Sequence, residues 1–317
     1  MKKEVDRQRF EKQLFDVVGK NKIKIKESMK IHTTFRIGGS AEYFINPETK
    51  EEIAETVKLC KKEKMPFYVM GNGSNLLVGD KGFSGVILQI GKNMDTFQIK
   101  EDGKVTADAG ILLSKLAQET AKQGLSGFEF ASGIPGTLGG AITMNAGAYG
   151  GEIKDVIVEA TILDDHNQIK TLSKDELLLD YRRSIIQDKD YIVLGAVFQL
   201  QPGEPETIYA RMNELNEKRR EKQPLNYPSA GSTFKRPEGY FAGKLIEDAG
   251  LRGFQIGDAA VSQKHCGFVV NMGNATAAQV KELITEVDRV VFEKFKVHLE
   301  PEIRMIGNFD RKETMDK

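Results

Sequence analysis

A chain of 317 residues is longer than one hydrophobic core usually organises, so two or three domains are expected. Its 46 Lys and Arg residues equal its 46 Asp and Glu residues and are spread along the chain, which argues against nucleic acid or a membrane surface as partner. The only two cysteines, Cys60 and Cys266, stand far apart, the opening MKKEVDRQRF lacks an apolar signal region, and no run is long enough to span a bilayer; a reducing cytoplasm is the expected location.

In chain order, Phe10, Leu14, Val17 and Val18 share one helical face, and Gly19 can end that helix. AEYFIN alternates as a strand. Thr49 with Glu52 signals a capped helix through Lys64, on whose apolar stripe Cys60 reads as a small buried hydrophobe, and the strand FYVM leads into GNGSN. From about Val86 to Leu200 the pattern turns to short β-rich runs (VILQI, KVTADAG, VIVEATIL, YIVLGAVFQL), interrupted by the helical LLSKLAQETAKQG, which reads as a separate α+β domain. Pro202, Gly203 and Pro205 mark a boundary near 205, followed by a charged helix up to Pro224. The last third holds AGKLIEDAG, a long helix with Val280, Leu283, Ile284, Val287 and Val291 at helical spacing, a closing strand PEIRMIG and a terminal tail, NFDRKETMDK.

Two glycine loops stand out. In Gly71, Asn72, Gly73, Ser74 and Asn75 the glycines let backbone N–H groups converge on an anion, while a tight turn is the bland alternative. Strand rather than helix follows, and the Walker lysine is missing, which disfavours ordinary Rossmann or P-loop assignments. The second loop, Ser132 to Glu152, interleaves seven glycines with Ile134, Leu138, Ile142 and Met144; a flexible linker would leave these exposed, so close approach to a large ligand is favoured. The two loops could hold the two ends of one dinucleotide. The scattered His and Cys residues give no metal motif.

FRIGG, GNGSN, SGIPGTLGGA, MNAGAYGGE, YRRS, GSTFKRP, AGKLIEDAGLRG, VSQKHCGF and EPEIRMIG, in this order from about residue 30 to residue 307, resemble the motif series of the UDP-N-acetylenolpyruvoylglucosamine reductases, also called UDP-N-acetylmuramate dehydrogenases. The chain is similar to the shorter subgroup of that family. The resemblance implies an α+β chain with a vanillyl-alcohol-oxidase-type (PCMH-type) two-part FAD-binding fold and a third α+β substrate-binding domain. Residues 1–90 would be the first FAD subdomain, joined by the closing strand from 300–317, with 91–205 the second and 206–299 the substrate domain. It implies that NADPH reduces FAD, that a hydride passes to C3 of the enolpyruvyl group of a UDP-sugar, and that UDP-N-acetylmuramate, a peptidoglycan precursor, results. The partners implied are small molecules, in a monomer or weak homo-oligomer.

By the same resemblance, Gly71, Asn72, Gly73, Ser74, Asn75, Ser132, Gly133, Ile134, Pro135, Gly136, Gly139, Gly140 and Asn145 would hold FAD, and Tyr181, Lys222, Lys235 and Arg236 the substrate. Arg182 matches the family's catalytic arginine; a guanidinium suits the negative charge that hydride delivery puts into the carboxylate. Arg183 would be its solvent-facing neighbour. Ser232 matches the proton donor to C2, a neutral hydroxyl whose proton Lys235 could bias. Spacing cannot choose between Glu300 and Glu302 as the catalytic carboxyl, and the family register selects Glu302. Arg236 departs from the asparagine many members carry, and Cys266 from the usual small residue, so no catalytic role is given to that thiol. Rival readings are an FAD-dependent oxidase of the same superfamily and a non-catalytic UDP-sugar-binding module.

Overall fold

The computed structural model describes residues 6–309. Helix and strand are mixed throughout, as expected of an α+β chain, in two compact units that are each discontinuous in sequence. Among the described residues, unit 1 takes 6–25, Tyr43–Asn72 and Gly85–Arg219; unit 2 takes Lys26–Glu42, Gly73–Ser84 and 220–309. The chain passes between them inside the strands Ile23–Ser28, Ser40–Ile45 and Phe83–Gln89, which with Phe67–Met70 form a four-stranded sheet.

In unit 1 the first helix, Arg7–Val18, buries Phe10, Leu14 and Val18 at helical spacing. The Asp6 carboxylate accepts the Arg9 N–H at its start, and Gly19, at φ +80°, closes its end with an N–H to the Phe15 carbonyl. In the helix Lys50–Glu63 the Thr49 hydroxyl accepts the Glu52 N–H as expected, but the Glu52 carboxylate turns to the Glu48 N–H instead of completing the box. Cys60 is fully buried there, and burial pushes its thiol up to about 12, which leaves it an inert hydrophobe.

A five-stranded antiparallel sheet runs in the order Ile169–Ser173, Ile157–Leu163, Ile192–Gln199, Lys104–Asp108, Phe97–Ile99. Its central strand, buried along almost its whole length, reads as a continuous apolar run for that reason. Phe128 meets Phe198 edge-on at 5.0 Å, and removing either ring would cost about 3–5 kcal/mol. One core extends from Phe10 to Met212. Residues from both 1–90 and 91–205 share this core, and the helix Pro205–Lys222 packs Ile208 and Met212 into it, so that unit 1 ends at Arg219.

Unit 2 is built on the helix Ala277–Phe295, which buries Val280, Leu283, Ile284, Val287 and Val291. Thr276 and Gln279 form a capping box, and the Asp80 carboxylate accepts the N–H groups of Ala277 and Ala278, both at 2.8 Å, at the positive end of the helix dipole. A three-stranded antiparallel sheet of Gln255–Ile256, Ala259–Val261 and Val269–Asn271 belongs to the same unit. The closing strand begins only at Arg304, and Arg304–Ile306 runs parallel to Leu76–Val78 within unit 2. The terminal tail from residue 310 on lies outside the described residues.

Candidate active site

The glycine loops owe part of their composition to each other. Gly71 follows the strand Phe67–Met70, and a Cβ there would stand 2.0 Å from the Thr137 hydroxyl oxygen, so no larger residue fits. Asn72 donates its side-chain amide to the Pro135 carbonyl at 2.6 Å, and Gln89 donates to the Gly71 carbonyl at 3.2 Å. The turn continues through Gly73, at φ +62°, to Ser74 and Asn75. Among the described residues, none of the five backbone N–H groups from Gly71 to Asn75 donates to a protein acceptor. Free N–H groups in a glycine turn are the donor set an anion needs.

In the second loop the Ser132 hydroxyl bonds the Glu129 carbonyl and the Ile134 N–H the Ala131 carbonyl, shaping a turn that leads through Pro135 and Gly136 to the helix Leu138–Thr143. The Leu138 and Gly139 N–H groups are taken by the carbonyls of Ile111 and Ala109, both at 2.8 Å. Gly140, exposed, has room for a Cβ, whose nearest neighbour would be the Thr137 hydroxyl oxygen at 3.7 Å, whereas Gly133 lies against Asn216 and Arg219. A glycine loop with free N–H groups and a cation against Gly133 fits a large anionic cofactor such as a dinucleotide.

Asn145 is wholly buried, at φ +41°, and its amide donates to Glu152 (3.0 Å) and to the Asp180 carbonyl (3.1 Å) while its oxygen accepts the Lys154 N–H (2.9 Å). Its polar atoms are thus committed inside the protein, and its work is to tie the end of the glycine segment to the turn that carries Arg182. In that turn the backbone of Asp180 and Arg183 exchange hydrogen bonds at 3.1 Å in both directions, leaving Tyr181 and Arg182 as the two central residues. Arg182 stands at φ +53°, a left-handed conformation that costs a residue with a Cβ about 1–2 kcal/mol and is normally left to Gly or Asn. Its guanidinium reaches the Gly147 carbonyl at 3.4 Å and lies 5.2 Å from the centre of the half-exposed Tyr181 ring. Arg183 points outward as expected and pairs with Asp188 at 3.0 Å.

In unit 2, residues 233–235 pair antiparallel with 300–302 around a bridge between Phe234 and Pro301. The Glu302 N–H donates to the Thr233 carbonyl (2.8 Å) and the Lys235 N–H to the Glu300 carbonyl (2.9 Å). Phe234 and Pro301 occupy the pair whose own N–H groups point away, so the proline removes no bond. This pairing brings Ser232 and Glu302, far apart in sequence, to neighbouring positions. Ser232 is exposed and its hydroxyl makes no hydrogen bond among the described residues. Asn75 fixes the other side of Glu302, its side chain donating to the Glu302 carbonyl at 3.2 Å and its own carbonyl accepting the Arg304 N–H at 2.9 Å. Glu300 instead forms an exposed ion pair with Lys235. Arg236 stacks on Phe241 at 4.0 Å, and Lys222 is exposed at the end of its helix.

Three residues went unnoticed in the sequence. Ser184 and Gln187, which bond the Thr143 carbonyl beside the Arg182 turn, were signalled only by their position after YRR. His265 accepts the Gly267 N–H on Nδ1 at 3.0 Å and is held below its usual pKa by burial, which leaves Nε2 as the proton-bearing nitrogen. Cys266 is buried and its thiol is pushed up, chiefly by that burial. Among the described residues no group of three His, Cys, Asp or Glu could hold a metal, and no helix is long and apolar enough to cross a membrane.

Comparison with known proteins bears on this arrangement directly. Residues 41–173 match the pattern described as an FAD binding domain, which contains both glycine loops, and residues 223–306 match the C-terminal domain of UDP-N-acetylenolpyruvoylglucosamine reductase, which contains Ser232 and Glu302. Together they define an FAD-binding oxidoreductase. A reductase of that name from Agathobacter rectalis is 55% identical over 89% of this chain and 93% of its own length, and one from Lachnoclostridium phytofermentans is 53% identical over 93% and 96%. The crystal structure of UDP-N-acetylenolpyruvylglucosamine reductase from Thermus caldophilus superposes with a TM-score of 0.75 at 35% identity, covering 89% of this chain and 97% of that one. The chain belongs to the UDP-N-acetylenolpyruvoylglucosamine reductase family.

Proposed function

We propose that this chain reduces the enolpyruvyl group of UDP-N-acetylenolpyruvoylglucosamine to give UDP-N-acetylmuramate, with FAD as resident cofactor and NADPH as the source of the hydride. Membership of the family supports the substrate, and the apposition of the Ser232 and Glu302 segments is the observation that carries the chemistry. When bound, FAD supplies a two-electron carrier between NADPH and C3 of the substrate.

Hydride arriving at C3 leaves an electron pair at C2, conjugated with the carboxylate. Arg182 meets that charge: a guanidinium stays protonated and can hold a carboxylate in a fork, and its turn fixes the direction in which it leaves the backbone. Ser232 gives its hydroxyl proton to C2, which completes the saturated lactyl ether, and the proton is recovered from solvent at an exposed position. Glu302 polarises the carboxylate and orients it. Lys222, Lys235, Arg236 and Tyr181 supply cations and an aromatic edge for the rest of the substrate, and the loops at 71–75 and 132–140 hold the cofactor. The reaction takes place in the cytoplasm as one step of peptidoglycan precursor synthesis, in a monomer or weak homo-oligomer.

The test is an anaerobic visible spectrum of the purified protein. A flavin band that bleaches with NADPH and returns with the enolpyruvyl sugar is expected. A band that bleaches but does not return would overturn the substrate, and no band after FAD addition would overturn the cofactor.

A further inference from the structure

Arg219 stands one turn after Asn216 on the helix Pro205–Lys222, within unit 1. Its Cδ lies 3.1 Å and its Nη1 3.6 Å from the point that a Cβ on Gly133 would occupy, and the Asn216 side-chain oxygen lies 2.7 Å from the same point. A side chain at 133 would displace both. The glycine therefore exists, in part, to let an arginine lie across the loop.

That arginine has no visible counter-charge. Arg183, Arg211, Arg252 and Arg289 are each ion-paired. Arg219, half-buried, has neither a carboxylate nor a hydrogen-bond acceptor among the described residues. Burial pulls its pKa down, and the group opposing that pull is the phenol of Tyr149, in the same glycine-rich segment. A cation removed from water without a partner is costly, and a fold keeps one where a ligand completes it. In the loop that Arg219 meets at Gly133, the N–H groups of Gly133 and Gly136 donate to no acceptor among the described residues. A guanidinium fork next to free backbone N–H groups is donor geometry for a phosphoryl anion.

We propose that Arg219, with the N–H groups of Gly133 and Gly136, forms a phosphoryl-binding site whose occupant is the diphosphate of the dinucleotide cofactor. The proposal rests on the FAD reading above. A UDP-sugar also carries a diphosphate, but every member of this site lies in unit 1, and Gly133 and Gly136 fall within the region that matches an FAD binding domain, whereas Lys222, Ser232 and Lys235 lie in unit 2.

The experiment titrates flavin-stripped wild type, Arg219→Gln and Arg219→Lys with FAD and with riboflavin by fluorescence at several salt concentrations, and each protein with the UDP-sugar substrate. Loss of one charge-assisted contact should weaken FAD binding about 10- to 100-fold in Arg219→Gln and flatten its salt dependence. Riboflavin, which has no phosphate, should bind within about twofold of wild type, and Arg219→Lys should recover part of the FAD affinity and guard against a misfolded Gln variant. Unchanged FAD affinity, equal weakening of FAD and riboflavin, or a loss confined to the UDP-sugar would each overturn the proposal while leaving the FAD reading intact. Failure of the wild type to bind any flavin would overturn both.

Discussion

Gln187 holds Arg182 by its backbone: one side-chain amide donates to the Arg182 carbonyl at 3.1 Å and to the Thr143 carbonyl at 2.7 Å, with the Ser184 hydroxyl on the same Thr143 oxygen at 2.6 Å. The turn bearing the candidate catalytic guanidinium is thus strapped to the C-terminal end of the helix Leu138–Thr143. Gln187→Leu should leave two carbonyls without this donor, lowering kcat about tenfold, or about 1.4 kcal/mol, with a smaller effect on substrate KM. Steady-state kinetics check the split; a loss in KM alone would speak against a positioning role.

Arg182 itself bears a conformational cost at φ +53°, which the catalytic role proposed above would offset. Arg182→Asn should leave stability unchanged or raise it by up to about 1 kcal/mol, because asparagine tolerates the left-handed region, while turnover falls about a hundredfold or more. Denaturant unfolding and single-turnover rates measured on the same preparation separate the two effects.

The contact between Gly71 and the Thr137 hydroxyl predicts an overpacking defect. Gly71→Ala should destabilise the protein by about 1–3 kcal/mol and loosen flavin retention. Adding Thr137→Ala should recover part of that loss, since the hydroxyl is the nearest obstacle, and a double-mutant cycle would register the recovery as non-additivity.

His265 predicts an acid-side slope in stability. Burial, then its own backbone opposing, then the charges of Arg252 and Lys222, act on the ring with a net lowering of its pKa. The unfolded chain takes up a proton near the ordinary value of 6.5 while the folded protein does not, so the contribution is whole above 6.5 and is lost as pH falls towards the lower folded value. In His265→Asn the melting temperature should fall less steeply over about pH 7 to 5 than in wild type.

Local signals were legible where one helix or turn decides the outcome. The Phe10, Leu14 and Val18 stripe, the Thr49 cap and the Val280 to Val291 face follow from periodicity and capping alone. The domain plan was less legible, because a sequence read in order suggests consecutive domains and this chain crosses between units inside three strands. The pairing of Thr233 with Glu302 and the Gln187 strap are likewise contacts between distant residues or side chain and carbonyl, which no spacing announces. Arg219 left one faint trace: it lies three residues before Lys222, on a neighbouring position of the same helix surface.

The late arrival of Arg304–Ile306 beside Leu76–Val78 has a consequence during synthesis. Leu76, Leu77 and Val78 leave the ribosome well before their strand partner, which is made roughly 230 residues later. Until then an apolar edge with open hydrogen-bonding groups is a template for pairing with other chains. A messenger truncated just before codon 304 would therefore yield a product prone to aggregate, even though the core of unit 1 would be encoded in full.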